Sequence, residues 1–193
     1  MAERLNRRAE LFIPENGFIS VNPPLTKRRI GSLSTRTTHP YYIKLLQAVI
    51  NNVGLEVDLI NPYSFKTKGE MLAGCKHPLI QKLAKYSYSC GKGKRLNKHC
   101  GRCLPCLIRR ASFLEAKLID STSYAARDLQ LHKSYDDVQA ALSATQDLSK
   151  RRVRRWTQEA GPLPTDAINK KYIEVVRRGG KEIKNLLKIA NLQ

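Results

Sequence analysis

The chain has 193 residues, 41% of them apolar, which is enough for one hydrophobic core with a small appended region but not for two full domains. Thirty-five Lys and Arg residues against sixteen Asp and Glu residues give a net charge of +19, which favours polyanionic partners such as nucleic acids or nucleotide phosphates. No window of about 18 apolar residues occurs, and the basic start lacks the apolar run of a signal peptide, so we expect a cytoplasmic protein with no membrane partner.

The first third of the chain predicts an α/β arrangement. Residues 1 to 39 contain recurrent Pro and Gly and the polar run "STRTTH", which indicates mostly irregular structure. The apolar spacing of residues 40 to 52 predicts a helix that ends before Gly54. The alternating stretch "LEVDLINPY" that follows predicts a strand that ends in a loop.

Two further short helices are expected before the first clustered cysteine. In "TKGEMLAGC", Thr67 is a candidate N-cap and Glu70 lies three residues later, the spacing of a capping box. The segment "HPLIQKLAKYS" has the apolar spacing of a short amphipathic helix. Both segments lead the chain towards Cys90.

The remainder of the chain is predicted to be helical. A helix is expected from Pro105 to Leu118, and about four helical segments are expected from Tyr124 to the end. Gly161-Pro162 and Gly179-Gly180 are the predicted breaks between those segments. The fold class expected from the residues is therefore α/β but mainly α.

Four of the five cysteines have the spacing of a metal site: Cys90, Cys100, Cys103 and Cys106. Two consecutive two-residue gaps allow tight turns to direct thiolates at one ion, and Cys106 is expected in the first helical turn, where amides stabilise a thiolate. A closed shell of four thiolates predicts a structural Zn²⁺. An iron–sulfur cluster is the main alternative, because ferredoxins use similar gaps.

The cysteine region is also the most basic part of the chain. Residues 61 to 120 hold thirteen Lys and Arg residues and three Asp and Glu residues. Four thiolates around a divalent ion leave a charge of about −2, which part of this positive charge can offset. The remaining cations could serve a phosphate-bearing partner or be solvated. His99 adjoins Cys100, but adjacent residues rarely reach one ion, so it is not expected to be a ligand.

Two polar stretches are candidates for ligand binding. Residues 31 to 40 ("GSLSTRTTHP") and 61 to 71 ("NPYSFKTKGEM") are rich in hydroxyl and cationic groups, which suit phosphate or a polar heterocycle. Neither stretch matches a P-loop or a Rossmann fingerprint. On spacing alone, capping and solvated surface residues are the favoured explanation of both stretches.

The segments "NPYSFKTKGEM", "SYSC" and "HCGRCLPCLIRR" together resemble the 7-cyano-7-deazaguanine synthase family, ATP-dependent QueC-like enzymes of queuosine precursor synthesis. The family's Cys-Gly-x-Cys-x-x-Cys-x-x-Arg signature falls on Cys100, Gly101, Cys103, Cys106 and Arg109. Its Thr-Lys motif is similar to Thr67 and Lys68. The stretches "PENGFISVNPPLT" and "RRIGSLSTRTTHP" resemble the divergent members from anti-phage defence operons.

This resemblance implies the C-terminal part of a Rossmann-like PP-loop ATP pyrophosphatase fold. Residues 1–120 would be a partial synthase-like α/β region ending in the zinc site, and residues 121–193 a basic helical tail. The implied chemistry is adenylation of a carboxylate with release of pyrophosphate, followed by capture by an amine. The family's Ser-Gly-Gly-x-Asp-Ser loop, which grips the ATP phosphates, does not occur in these 193 residues.

The first hypothesis is therefore a zinc-bearing portion of a synthase-like ligase that is inactive alone. Lys68 is the candidate catalytic residue, and a nucleotide or deazapurine is the expected substrate. ATP and Mg²⁺ are expected only when a loop-containing N-terminal half or protein partner completes the site. The candidate substrate-binding residues are Arg36, Thr37, Thr38, His39 and Thr67.

The second hypothesis is a non-enzymatic, zinc-stapled basic module that binds nucleic acid. The segments "SKRRVRRW" and "KKYIEVVRR" would supply the positive charge, and Trp156 and Tyr172 the stacking surfaces.

Overall fold

The computed structural model describes residues 8–25, 37–93 and 97–192. The strands are β1 (Ala9–Phe12) and β2 (Val57–Ile60). The helices of the first half are α1 (Gly17–Val21), α2 (Pro40–Asn52), α3 (Lys68–Ala73), α4 (Ile80–Leu83) and α5 (Leu104–Glu115). Those of the second half are α6 (Asp136–Gln146), α7 (Lys150–Gln158) and α8 (Asp166–Ile189). Two 3₁₀ turns cover Ala84–Tyr86 and Gln130–His132.

The two strands form a small parallel sheet. Ala9 pairs with Val57, and the register continues to Phe12 opposite Ile60. Helix α2 connects the strands and packs against β2, as parallel pairing requires a crossover. The strand predicted after Gly54 is therefore confirmed.

Where the structure describes residues 1 to 39 they are mostly irregular, as predicted, except for β1 and α1, which the prediction missed. Residues 1–7 and 26–36 of this range lie outside the described residues. β1 is only four residues long and is stabilised by a partner 48 positions further along the chain, which local composition cannot reveal. α1 begins after Asn16, whose side chain accepts a hydrogen bond from the Ile19 amide and so acts as its N-cap.

The helix predicted over residues 40 to 52 has those bounds, and Gly54 follows it with a φ of 74°. The predicted capping box is also present. The Thr67 hydroxyl accepts from the Glu70 amide, and the Glu70 carboxylate accepts from the Thr67 amide. Local signals thus fix the start of α3 and the start and end of α2.

The hydrophobic core is built around the long helix α8. This helix packs against α5, α1, α6 and α7. One cluster of buried side chains runs from Phe18 and Val21 through Leu107 on α5 to Ile183 and Leu187 on α8. Residues on both sides of position 120 therefore contribute to the same core, and the last third of the chain covers the cysteine-bearing helix α5.

The predicted helix break at Gly179-Gly180 is wrong, because both glycines lie inside α8. A Cβ on Gly179 would lie 2.4 Å from Cδ2 of Phe18, and one on Gly180 would lie 2.9 Å from Leu148. These glycines therefore allow neighbouring side chains to approach the helix backbone closely, and packing of α8 on both sides outweighs their low helix propensity.

Within the described ranges, no helix combines the length and the apolar character that crossing a bilayer demands.

Candidate metal centre and adjoining cavity

The four predicted cysteines converge in one buried cluster. Their sulfur atoms all lie within 4.8 Å of one another. The Sγ atoms of Cys90 and Cys103 are 3.9 Å apart, as are those of Cys100 and Cys106. A tetrahedral ion with Zn–S bonds of about 2.3 Å requires sulfur separations of about 3.8 Å. The cluster could therefore hold one structural metal ion, and the donor set is the one zinc prefers.

Local backbone structure places each thiol. Cys103 is the N-cap of α5, Pro105 lies in the first turn, and Cys106 follows it, close to the predicted arrangement. The amide of Cys100 donates to the Cys90 sulfur, and the amide of Cys103 donates to the Cys100 sulfur, each at 3.3 Å. Such amides stabilise thiolates, so the loops around the sulfurs favour the ligand form.

Gly101 is required by the turn between the ligands. It has a φ of 82°, and a Cβ there would lie 2.3 Å from the carbonyl oxygen of Ala126. The amide of Ala126 in turn donates to the carbonyl oxygen of Cys100. The glycine of the cysteine signature therefore lets the segment after α5 pack directly on the metal-ligand loop.

The thiols differ in acidity without a cation. A hydrogen bond from the Cys106 thiol is the main reason that the pKa of Cys103 falls to about 5. Donation of that hydrogen bond, together with burial, raises the pKa of Cys106. Burial also raises the pKa of Cys100. Four thiolates in such a confined volume need a divalent cation to compensate their charge.

His99 lies beside the cluster rather than inside it. Its Nδ1 is 4.0 Å from the Cys106 sulfur, and its ring packs between Tyr88 and Tyr124. Burial and the nearby charge of Arg109 lower its pKa, which favours the neutral ring. The geometry agrees with the prediction that His99 is not a ligand.

Arg109, the arginine of the signature, is buried and clamps three segments together. Its guanidinium donates to the carbonyl oxygens of Ala84 and Ser87, to the Ser87 hydroxyl and to the Thr122 hydroxyl, over 2.7 to 3.2 Å. All of these acceptors are neutral. Because Arg109 lies one helical turn after Cys106, a metal–thiolate cluster with a charge of about −2 would offer it counter-charge.

Other cations of the cysteine region, which the sequence offers to offset the thiolate charge, also contact backbone carbonyls or an aromatic ring. Arg110 donates to the carbonyl oxygens of Gly101, Ala126 and Arg127. Arg102 and Lys92 both lie over the ring of Tyr135, at 4.4 Å and 4.7 Å from its centroid. Lys94 and Arg95 fall outside the described residues.

A cavity of about 350 Å³ adjoins the cluster. This volume lies within the usual range for small-molecule sites. Lys68 and Glu15 are its charged lining residues among those described. Its other lining residues are Phe18, Ile19, Asn22, Pro23, Leu25, Tyr88, Ser89, Leu104, Pro105 and Ile108.

The cavity walls are connected directly to the metal ligands. Tyr88 and Ser89 immediately precede Cys90, while Leu104 and Pro105 lie between Cys103 and Cys106. A metal ion that fixes the four sulfurs would therefore also fix two walls of the cavity.

The two charged groups of the cavity are electrostatically coupled. Burial and the charge of Arg109 lower the pKa of Lys68. Burial raises the pKa of Glu15, and the Lys68 charge opposes this rise. Oε1 of Glu15 accepts from both the backbone amide and the side-chain amide of Asn16. Asn16 thus fixes the orientation of the carboxylate.

The predicted substrate-binding residues that the structure describes lie away from the lining of this cavity. Thr67 is fully buried, and its hydroxyl donates to Glu182 while it caps α3. His39 is the buried N-cap of α2, and Thr37 and Thr38 precede it in a turn. None of these four residues is among the described residues that line the cavity. Arg36 lies outside the described residues.

Sequence reasoning missed two polar groups of the cavity. Glu15 lies in the quoted stretch "PENGFISVNPPLT", but nothing there marked it as a site residue, because its proximity to Lys68 depends on the packing of distant segments. The Ser89 hydroxyl oxygen is buried and has no hydrogen-bond partner in the part of the chain that the structure describes. Its position directly before Cys90 was the one feature of the sequence that could have indicated a place in the site.

The structure also changes the interpretation of the two aromatic residues assigned to nucleic-acid stacking. Trp156 is 3% exposed, packs on Phe18, and donates its indole N–H to the Pro24 carbonyl oxygen. Tyr172 is 5% exposed and packs against Phe65. Both rings belong to the core, so neither is available to stack on a base.

The structure thus combines a buried four-thiol cluster that could hold a metal ion with an adjoining cavity that is a candidate small-molecule site. A family model described as "Queuosine biosynthesis protein QueC" matches residues 37–117. This region contains Lys68, the capping box and all four clustered cysteines, so this part of the chain is similar to the QueC family.

Curated synthases show the same similarity. The 7-cyano-7-deazaguanine synthases of Brucella ovis, Brucella canis and Brucella suis are each 38% identical to the chain over 74 residues. The matched segment covers 38% of this chain and 30% of the length of each relative. No solved structure matches the chain.

Proposed function

We propose that this chain is the zinc-bearing C-terminal portion of a 7-cyano-7-deazaguanine synthase-like, ATP-dependent ligase. Residues 1–120 form the synthase-like part of a Rossmann-like PP-loop fold, and residues 121–193 form a basic helical part that supports it. The Ser-Gly-Gly-x-Asp-Ser loop is supplied by another polypeptide segment, without which the chain is inactive. ATP and Mg²⁺ bind only to the completed site, which is cytoplasmic.

The observation that supports this proposal most is the position of Lys68. It comes from the Thr-Lys motif and lines a cavity whose walls are connected to the four cysteines. In this proposal the metal is zinc, and its role is to hold these walls in place rather than to bind substrate, because four thiolates leave no open coordination position.

In the proposed reaction, Lys68 stabilises negative charge that develops as the substrate carboxylate attacks the α-phosphate of ATP. A buried cation is effective in this role where the local dielectric is low. Glu15 and Ser89 are suited to bind the polar edge of a deazapurine, as the carboxylate accepts from ring N–H groups and the serine hydroxyl lacks a described protein partner. The apolar walls, including Phe18 and Ile108, suit a planar heterocycle.

A reconstitution experiment tests this function. The chain is mixed with the portion of the Brucella suis synthase that lies outside its matched segment, and AMP and pyrophosphate formation is measured with ATP, Mg²⁺, ammonia and a carboxylate-bearing deazapurine. We expect activity only in the mixture, with a loss of at least 100-fold for Lys68→Met. Activity that is unaffected by this substitution would contradict the assigned role.

The stretch "PENGFISVNPPLT" favours a relation to the divergent members of defence operons within this family. Part of it forms the cavity wall, through Glu15, Phe18, Asn22 and Pro23. The same assay with a panel of carboxylic acids and amine acceptors would therefore distinguish queuosine precursor chemistry from a derivative reaction.

Nucleic-acid binding is a second candidate function, favoured by the surface of α7. Val153 and Trp156 anchor this helix in the core, and five cations on it are exposed. Only Arg155 is ion-paired within the helix and its cap, with Glu159 at 3.1 Å. The exposed cations are Lys150, Arg151, Arg152, Arg154 and Arg155.

Because Trp156 and Tyr172 cannot stack on bases, this binding would rest mainly on phosphate contacts. Affinity for RNA or duplex DNA should then fall steeply with salt, and replacing Arg151, Arg152 and Arg154 by Gln should reduce the salt slope by about three. Salt-independent affinity, or no change in slope, would count against this function.

A further inference from the structure

The two edges of the β1–β2 sheet differ in how their backbone groups are used. In a parallel ladder, alternate residues of a strand direct their N–H and C=O groups towards the same neighbour. The amide of Ala9 donates to the Glu56 carbonyl oxygen, and that of Ile13 donates to the Ile60 carbonyl oxygen. The odd-numbered residues of β1 therefore face β2, and Glu10 and Phe12 direct their backbone groups outward.

The outer edge of β2 is closed by a side chain. The Gln47 amide of α2 donates to the carbonyl oxygen of Val57 and accepts from the amide of Leu59, each at 2.7 Å. Val57 and Leu59 are the β2 residues whose backbone groups point away from β1. This amide thus imitates one rung of a neighbouring strand and blocks pairing at this edge.

Among the described residues, the sheet contains two strands only, and no side chain closes the outer edge of β1 as Gln47 closes that of β2. Leu11 is 53% exposed and Phe12 is 55% exposed. These neighbours point to opposite faces of the strand, so both faces of the sheet at β1 are apolar and exposed. Parallel sheets are normally covered on both faces and rarely consist of two strands.

The exposed apolar surface extends to α2. Tyr42, Leu45, Val49 and Val53 lie along one stripe of this helix and its C-cap, and all are exposed. Apart from Pro40, no residue of α2 is fully buried. A polypeptide that adds a strand beside β1 could cover the sheet with helices of its own, as in other α/β folds.

We propose that the free edge of β1 is the docking site for the loop-bearing α/β polypeptide, which adds a parallel strand to the sheet at Glu10 and Phe12. This inference rests on the proposed function, since it identifies the surface that receives the missing part of the fold. We infer the occupant from the relatives. The matched segment covers only 30% of the length of each relative, so most of each relative, here inferred to include the loop-bearing part, lies outside the match. The closed edge of β2 leaves β1 as the side on which the sheet can grow.

Hydrogen exchange of the isolated chain provides the first test. We expect the amides of Glu10 and Phe12 to exchange at least tenfold faster than those of Leu11 and Ile13. Addition of the unmatched portion of the Brucella suis synthase should then slow exchange at Glu10 and Phe12. Strong protection of both amides in the isolated chain would overturn the proposal, because the edge would already be occupied.

Substitution at Glu10 provides the second test. Proline at this outward-facing position removes the amide needed by an incoming strand but none that faces β2. We expect Glu10→Pro to raise the Kd for the same synthase portion at least tenfold while the metal content and Tm of the chain remain unchanged. Glu10→Thr keeps the amide and should bind as the unaltered chain does.

The outcomes separate this inference from the proposed function. ATP-dependent activity in a mixture that is insensitive to Glu10→Pro would leave the function intact and overturn the docking site. A complex that is sensitive to Glu10→Pro but forms no AMP would support the docking site and contradict the function. Failure to form a complex, or a Pro-sensitive dimer of this chain in sedimentation, would overturn the proposed occupant.

Discussion

The ring of Phe18 lies against the backbone of Gly179, at a distance that leaves no room for a Cβ on residue 179. Phe18 belongs to α1 and lines the cavity beside Lys68, whereas Gly179 lies in the middle of α8. The C-terminal helix therefore positions one wall of the candidate substrate site, although it lies outside the region that the family model matches.

Gly179→Ala should destabilise the protein even though alanine is the better helix former. The new Cβ would displace the Phe18 ring, and we expect a net loss of about 1 to 2 kcal/mol in the free energy of unfolding. Urea denaturation measures this change. In a Phe18→Leu background the same substitution should cost much less, so equal costs in both backgrounds would contradict the packing argument.

Cys103→Ser should remove the bound metal and lower the Tm together, because structural zinc contributes directly to the free energy of folding. Metal content by mass spectrometry and thermal unfolding measure the two effects. Cys75 is exposed and outside the cluster, so Cys75→Ser is the matched control and should change neither quantity. Full zinc content in Cys103→Ser would contradict the assignment of this ligand.

Arg109→Lys should weaken metal binding although Arg109 contacts no sulfur. A lysine cannot bridge Ala84, Ser87 and Thr122 at once, so the segment leading to Cys90 would lose its anchor. We expect zinc affinity to fall 10- to 100-fold in competition with a chelator. The exposed Arg151→Lys serves as the control, and equal affinities in the two variants would contradict the role of the clamp.

Glu182 should make stability depend on pH. Burial raises its pKa to about 7, although hydrogen bonds from Thr67 and Gly69 oppose this shift. Its ordinary value is 4.5, so the folded state binds the proton more tightly than the unfolded state does. The stabilising effect of this proton is therefore complete below about pH 4.5 and lost as pH rises to about 7, by up to about 3 kcal/mol.

Glu182→Gln should reduce the decline in unfolding free energy between pH 4.5 and 7 and should stabilise the protein at pH 8. Urea titrations at several pH values measure this dependence. Glu174 is the matched control, because Arg177 lowers the pKa of this more exposed carboxylate. Glu174→Gln should leave the decline in place, and an unaltered decline in Glu182→Gln would show that another group causes it.

Features coded by neighbouring residues were predictable from the sequence. The capping box at Thr67 and Glu70, the bounds of α2 and the clustering of four cysteines each depend on spacing over a short stretch. β1 was missed because a four-residue strand is specified by a distant partner. The sequence predicts a helix break at Gly179. The actual reason for a glycine there is the close approach of Phe18, which only the fold reveals.

The candidate site shows the same limit. Lys68 could be identified from a motif, but its proximity to Glu15 depends on how α1 and α5 pack around the cavity. The basic character of "SKRRVRRW" was also visible in the sequence. The burial of Trp156 was not, because it requires the fold to bring Pro24 next to α7.

X-ray absorption at the zinc edge, on the full chain purified with its metal, tests the central claim most directly. We predict four sulfur ligands at about 2.3 Å. If Cys103→Ser retains some metal, that metal should have three sulfur ligands, with the fourth position empty or filled by a lighter atom. A shell that contains nitrogen or oxygen in the unaltered chain, or the iron–sulfur distances of a cluster, would contradict a four-thiolate zinc site.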